Sequence, residues 1–97
     1  MAGTYHEPLD RLSGAARDLH RALNSLMEEL EAVDWYQQRA EGTADASLKA
    51  ILEHNRDEEK EHASMLLEWI RRNDAGFARE LKGRLFKEGE ITHGLEG

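Results

Sequence analysis

Apolar residues recur at alternating steps of three and four along the first third of this 97-residue chain. The series runs through Leu9, Leu12, Ala16, Leu19, Leu23, Leu26, Leu30 and Val33. Because an α-helix turns once in about 3.6 residues, this spacing gathers the apolar side chains into one seam along a helix. We predict that helix over about residues 8–40, with Pro8 in its first turn and Gly42 ending it as a left-handed cap.

A second helix is predicted at about residues 44–72, after a very short connection. Thr43 or Asp45 can cap it. A connection this short forces the two helices to lie antiparallel, as a hairpin. The Asn-Asp-Ala-Gly stretch at 73–76 then breaks the pattern, and a short third helix follows at about 75–87. A tail follows at 88–97, and its last residues are expected to be disordered. The predicted fold class is therefore all-α, in a single domain over residues 1–97.

The composition narrows the functions open to such a hairpin. The formal net charge of −7 disfavours nucleic acid and anionic membranes as partners and favours cations. The chain has no cysteine, so a metal site here must use oxygen and imidazole ligands. No apolar run approaches the roughly 18 residues of a membrane span, and the N-terminal residues lack the layout of a signal peptide. We therefore expect a cytoplasmic protein.

Polar residues occupy the middle of the apolar seam of the second helix. That seam reads Leu48, Leu52, Asn55, Glu59, His62, Leu66 and Trp69. Glu59 and His62 lie one turn apart on one helix face, where they can bind one metal ion or bridge two. The spacing alone is a weak signal, because Glu90 and His93 repeat it in the tail. On a core-facing seam, however, an unpaired carboxylate is costly, so a metal or a polar partner is required.

A metal-free interpretation of the same residues stays open at this point. Glu59 can form a buried hydrogen-bonded pair with His62 or with an arginine. Asn55 can set the register of a polar layer, as single buried asparagines do in coiled coils. In that case the chain is a helical interaction module rather than an enzyme.

Glu29 brings another carboxylate to the same level of the hairpin. It lies 13 residues before Gly42, and Glu59 lies 16 residues after Thr43, so the two reach similar heights when the helices run antiparallel. Di-iron carboxylate bundles use two Glu and two Glu-x-x-His sets. One chain supplies half of these ligands in Glu29, Glu59 and His62, and a twofold dimer supplies all of them. Such ligands suit iron or manganese.

Three segments of the chain closely resemble the bacterial encapsulated ferritins. They are MEELEAVDWY at 27–36, HNRDEEKEHA at 54–63 and LEWIRRND at 67–74. The resemblance implies a ferritin-like helical hairpin, half of a four-helix bundle, which is completed by dimerisation and closes into a ring-shaped homodecamer. It also implies that Glu29, Glu59 and His62 are the ligands of a di-iron ferroxidase centre, each contributed twice across the dimer interface.

The resemblance implies further roles on the first helix. Tyr36 is expected to hydrogen-bond near the centre. Glu28 and Glu31 are expected to form a metal entry site on the outer surface, open to other divalent cations, with Trp35 beside that path. An ordinary solvated acidic face also explains the two glutamates, and interface packing explains the two aromatic residues. The histidines without a match are His6, His20, His54 and His93.

The implied activity is oxidation of Fe(II) to Fe(III) with dioxygen, inside an encapsulin nanocompartment that stores the iron. The encapsulin shell protein is then a partner. Family members usually carry a C-terminal extension that docks them in the shell, and no such segment is recognisable at residues 92–97. A dimanganese or peroxide-reducing site on the same scaffold is an alternative that the ligand types do not decide.

Overall fold

The computed structural model describes residues 4–93, and all regular structure in that part of the chain is helical. Helices α1, α2 and α3 span Gly14–Gly42, Ala46–Asn73 and Ala75–Arg84, and single 3₁₀ turns lie at Leu9–Arg11 and Ile91–His93. α1 and α2 pack along each other as a hairpin, and α3 packs against α2. The all-α hairpin with a short third helix, predicted from the sequence, is confirmed.

α1 begins at Gly14 and not near Pro8 as predicted. Ser13 is extended (φ −67°, ψ 162°), and its hydroxyl accepts a hydrogen bond from the Ala16 amide at 3.0 Å. Pro8 instead precedes the first 3₁₀ turn, and Leu12 is extended (φ −101°, ψ 132°), which separates that turn from α1. The helix starts at the serine because its hydroxyl satisfies an otherwise free amide of the first turn.

Extended residues connect α1 to α2. Gly42 is the last residue of α1, and Thr43 follows it at φ −93°, ψ 142°. The predicted left-handed cap at Gly42 is wrong, because positive φ angles occur in the described residues only after α3. Asp45 caps α2 by accepting a hydrogen bond from the Leu48 amide at 2.8 Å, and the Thr43 hydroxyl accepts one from the Asp45 amide at 3.2 Å.

Asp74 forms the corner between α2 and α3. It is extended (φ −135°, ψ 112°), and its carboxylate caps α3 by accepting from the Phe77 amide at 2.8 Å. α3 ends before Leu85, short of the predicted bound at about 87, and positive φ angles at Phe86 (58°) and Gly89 (96°) turn the chain away. Residues 94–97 lie outside the described residues, so the disorder expected for the end of the tail stays a prediction.

The hairpin has a thin core of its own. In residues 4–93, its buried apolar residues are Ala22, Ala40, Ala63 and Ile70. Large apolar side chains stay exposed along both long helices, among them Met27, Leu30, Leu48, Ile51, Met65 and Trp69. No helix in residues 4–93 combines the length and apolar character needed to cross a bilayer.

Candidate metal centre

Three side chains of ligand type converge midway along the hairpin. Glu29 comes from α1, and Glu59 and His62 come from α2. The His62 Nδ1 atom lies 3.6 Å from a carboxylate oxygen of Glu29 and 3.6 Å from one of Glu59. One ligand atom from each residue lies within 4.8 Å of the other two. Two ligand atoms that each lie about 2.0–2.2 Å from one ion are at most about 4.4 Å apart, so these side chains must draw closer together to share an ion.

Helix geometry explains this convergence. Glu59 and His62 are three residues apart, so they share one face of α2. The short connection fixes how α1 runs back along α2, which places Glu29 at their level. In residues 4–93, these three form the one group of at least three His, Asp or Glu side chains whose ligand atoms meet.

The cluster is open on one side. The side chains of Glu59 and Glu29 are 23% and 25% exposed, and that of His62 is 42% exposed. In a single chain, the desolvation cost expected for a buried carboxylate is therefore only partly incurred. A second molecule covering this side would raise that cost and make a bound cation more important.

An apolar stripe runs along α2 through His62. Its exposed members are Leu48, Ile51, Met65 and Trp69. Together with Asn55, Glu58 and His62 they follow steps of three and four, so they lie along one face of the helix. The opening of the cluster and the stripe therefore belong to the same side of α2.

Glu28 and Glu31, predicted to form a metal entry site on the outer surface, are not part of the three-residue cluster. Glu28 is exposed, and its carboxylate accepts a hydrogen bond from the Asn24 amide nitrogen at 3.0 Å. Glu31 is also exposed. Neither residue joins a group of three possible ligands in the described part of the chain.

Tyr36, predicted to lie near the centre, and Trp35, predicted to lie beside the metal entry path, both contact an arginine. The guanidinium carbon of Arg39 is 5.9 Å from the ring centroid of Trp35 and 5.4 Å from that of Tyr36. Trp35 is 48% exposed and Tyr36 is half-buried. Tyr36 is seven residues beyond Glu29, about 10 Å along α1, so within one chain it lies two turns from the cluster.

The unassigned histidines make local contacts. His54 lies 3.4 Å from the Glu58 carboxylate, and His93 lies 3.4 Å from the carboxylate of Glu90. His20 stacks on the ring of Tyr5 with centroids 4.1 Å apart, and His6 is exposed. The Glu90–His93 match to the ligand spacing is thus a pair on an exposed turn.

Sequence reasoning overlooked a polar link between the two long helices. The Arg56 guanidinium donates a hydrogen bond to the side-chain oxygen of Gln37 at 2.8 Å and another to Asp57 at 2.9 Å. The Asp57 bond raises the pKa of Arg56, and the same bond lowers the pKa of Asp57. The sequence signal that pointed to this link was the position of Arg56, one turn before Glu59 on α2.

Comparisons with known proteins place the chain in a family. It is 61% identical over 87 residues to the encapsulated ferritin-like protein of Rhodospirillum rubrum. The matched region covers 90% of this chain and 62% of the relative. It is 37% identical over 78 residues to the encapsulin nanocompartment cargo protein EncC of Myxococcus xanthus, covering 79% of this chain and 60% of the relative. The chain thus spans less than two thirds of either relative.

A solved structure matches the fold closely. The crystal structure of a Nitrosomonas europaea protein superposes with a TM-score of 0.87 at 62% identity, covering 92% of this chain and 98% of that one. The EncFtn-like family model matches residues 4–88, which include both long helices and all three residues of the cluster. The chain therefore belongs to the EncFtn-like family of encapsulated ferritin-like proteins.

Proposed function

We propose that this protein is a ferroxidase whose di-iron site forms when two copies of the chain pair. The observation that carries the proposal is the convergence of Glu29, Glu59 and His62 from two helices, with ligand atoms within 4.8 Å of one another. Two carboxylates and one imidazole are half of the ligand set of a di-iron carboxylate bundle. A twofold axis beside the cluster doubles them to the full set.

The open side of the cluster supports pairing there. Leu48, Ile51, Met65 and Trp69 form an exposed apolar stripe on the face that carries His62. A stripe of this kind is usually buried by another helix, and burying it is favourable by about 25 cal/mol per Å² of apolar surface. A second copy packed on the stripe would bring its own cluster toward the first.

The ligands suit the oxidation of ferrous ion. Two Fe²⁺ substrate ions would each give one electron to dioxygen, which takes up two protons from solvent to form hydrogen peroxide, and the iron would leave as Fe³⁺. The carboxylates of Glu29 and Glu59 offset the charge of the metal as it rises, and they can bind terminally or bridge two ions. His62 would bind as the neutral imidazole and fix the direction of its bond to the metal.

The remaining predicted roles belong to the same proposal. Glu28 and Glu31 would attract divalent cations at the outer surface, with Trp35 beside them. Tyr36 would reach the centre across the dimer interface rather than within its own chain. Support for an encapsulin shell as partner and compartment comes from the R. rubrum and M. xanthus relatives, whose names describe encapsulated cargo. A ring-shaped homodecamer is the assembly that the family resemblance implies.

The alternative is a metal-free interaction module, in which His62 only bridges two carboxylates. His62 Nδ1 lies 3.6 Å from both carboxylates, and the iron-oxidation experiment below separates the two functions. A dimanganese or peroxide-reducing site is separated from a ferroxidase by metal analysis and by comparing peroxide with dioxygen as oxidant.

Aerobic addition of Fe²⁺ tests the proposal. The wild-type protein should develop ferric absorbance faster than buffer alone. Glu29→Ala and His62→Ala should each slow this at least about tenfold, since loss of even a group that only orients a metal ligand costs roughly 10–100-fold. Glu61→Ala, an exposed carboxylate on the same helix, is the matched control and should oxidise iron at the wild-type rate. Equal rates in all four proteins favour the metal-free module.

A further inference from the structure

Arg56 ties α2 to α1 through a partly buried hydrogen bond. Its side chain is 18% exposed, and its guanidinium donates to the Gln37 side-chain oxygen at 2.8 Å. Both residues are braced on their own helices: Arg56 donates to Asp57 at 2.9 Å, and Gln37 donates to Glu41 at 2.9 Å. A continuous run of side chains therefore crosses from one helix to the other.

This link does not line the metal cluster. Arg56 lies one turn before Glu59 on α2, but its guanidinium is hydrogen-bonded to Gln37 and Asp57. Gln37 lies eight residues beyond Glu29, about 12 Å further along α1. The bond from Arg56 to Gln37 joins the two helices, so it can act on the cluster by fixing where they lie relative to each other.

The rest of the core does little to fix that alignment. Three of the four buried apolar residues of the hairpin are alanines, whose small side chains do not interlock deeply with the facing helix. A slip of one residue along a helix moves a side chain by about 1.5 Å. Metal–ligand distances tolerate only about 0.2 Å. A directional hydrogen bond between the helices supplies a constraint that alanine packing lacks.

We infer that Arg56 and Gln37 are positioning residues, whose hydrogen bond holds α1 and α2 in the one register that brings Glu29 to Glu59 and His62. The inference rests on the proposed ferroxidase function, and it adds a residue pair that acts on metal affinity without touching the metal. Its chemical requirement is specific: a donor on α2 and an acceptor on α1, both partly shielded from water.

Titration with Co²⁺ tests the inference, because this ion does not turn over and its visible absorption reports the ligand geometry. Arg56→Met and Gln37→Met should each weaken Co²⁺ binding about tenfold and alter its spectrum. The double variant should lose no more than either single variant, since both remove one interaction. Arg56→Lys keeps a donor and should lose less. Arg84→Met breaks an ion pair within α3 alone and should bind Co²⁺ like the wild type.

Circular dichroism of the metal-free proteins accompanies each titration and identifies any variant that fails to fold. If Arg56→Met does not fold, Gln37→Met and Arg56→Lys test the inference instead. Wild-type binding that depends on Glu29, with unchanged affinity and spectrum in the folded Arg56 and Gln37 variants, overturns the inference alone. A wild-type protein whose Co²⁺ binding is indifferent to Glu29→Ala overturns the proposed function and the inference with it. Additive losses in the double variant also contradict a shared hydrogen bond.

Discussion

His62 differs from the other histidine on α2 in what the neighbouring helix offers it. His54 lies 3.4 Å from Glu58, one turn along the same helix, and this pair stands at the surface. His62 has the equivalent neighbour in Glu59 and also meets Glu29 from α1. A Glu–His pair on one helix is common, and it becomes a candidate metal site only where another helix adds a further ligand.

Glu68 shows how charged neighbours shift a titration on the same helix. Its carboxylate accepts two hydrogen bonds from Arg71 at 2.7 Å and one from Arg72 at 2.6 Å. These bonds, that from Arg71 foremost, lower the pKa of Glu68 to about 2. Because the folded-state pKa lies below the ordinary value of 4.5, the stabilisation is complete above about pH 4.5 and is lost as the pH falls toward about 2.

We therefore predict that Glu68→Gln lowers the melting temperature modestly near neutral pH, since the group is exposed and screened by solvent. The gap to the wild type should narrow as the pH falls from about 6 to about 3, because the wild-type carboxylate then takes up its proton. Thermal melts followed by circular dichroism measure this gap. A gap of constant size over that range would contradict the assigned role of the arginines.

At the scale of elements, capping side chains set where each helix begins. Ser13, Asp45 and Asp74 each accept a hydrogen bond from the amide three residues ahead, at 2.8–3.0 Å. Two of these caps stand at the corners between helices, so they set the direction of the chain as well as the start of a helix. The level at which Glu29 meets α2 depends on the corner capped by Asp45.

Replacing this cap should weaken the hairpin by a predictable amount. Asp45→Ala removes the acceptor for the Leu48 amide and should lower the free energy of unfolding by about 1 kcal/mol, while Asp45→Asn keeps an acceptor and should cost much less. Urea unfolding of both variants and the wild type measures the difference. Equal losses in the two variants would mean that the charge of Asp45, rather than its capping bond, is what matters.

The sequence predicts the elements and the cluster better than it predicts the details between them. Apolar spacing revealed both long helices, and counting outward from the connection brought Glu29 to the level of Glu59, because both follow from helix periodicity. The predicted start near Pro8 was wrong. Proline is tolerated in the first turn of a helix, but the hydroxyl of Ser13 accepts a hydrogen bond from a first-turn amide and so fixes the start there. The Arg56–Gln37 bond could not be predicted, because it depends on side-chain conformations across two helices.

The molecule is more extended than a compact domain of its length. Its radius of gyration is 17.1 Å, where a compact chain of about this length has about 13 Å. Its extents are 49 × 41 × 19 Å, and the described residues include four buried apolar residues and an exposed stripe on α2. These dimensions fit a subunit whose stability and metal site are both completed by a second copy, which is the central claim of the proposal.

Charge placed on the stripe should separate the subunits. Met65→Glu puts a carboxylate among the exposed apolar residues of α2 and should leave a folded monomer that binds little metal. Ala50→Glu makes the same charge change at an exposed position, on the face of α2 that carries Asp57. This variant should assemble like the wild type. These two variants are the controls for the decisive measurement.

That measurement is native mass spectrometry of the wild-type protein with and without Fe²⁺, because it reports subunit number and bound metal together. We predict assemblies with even numbers of subunits that bind about one iron per subunit, two for each pair of clusters. A monomer that binds two iron ions and oxidises them unaided would contradict a site shared between two chains.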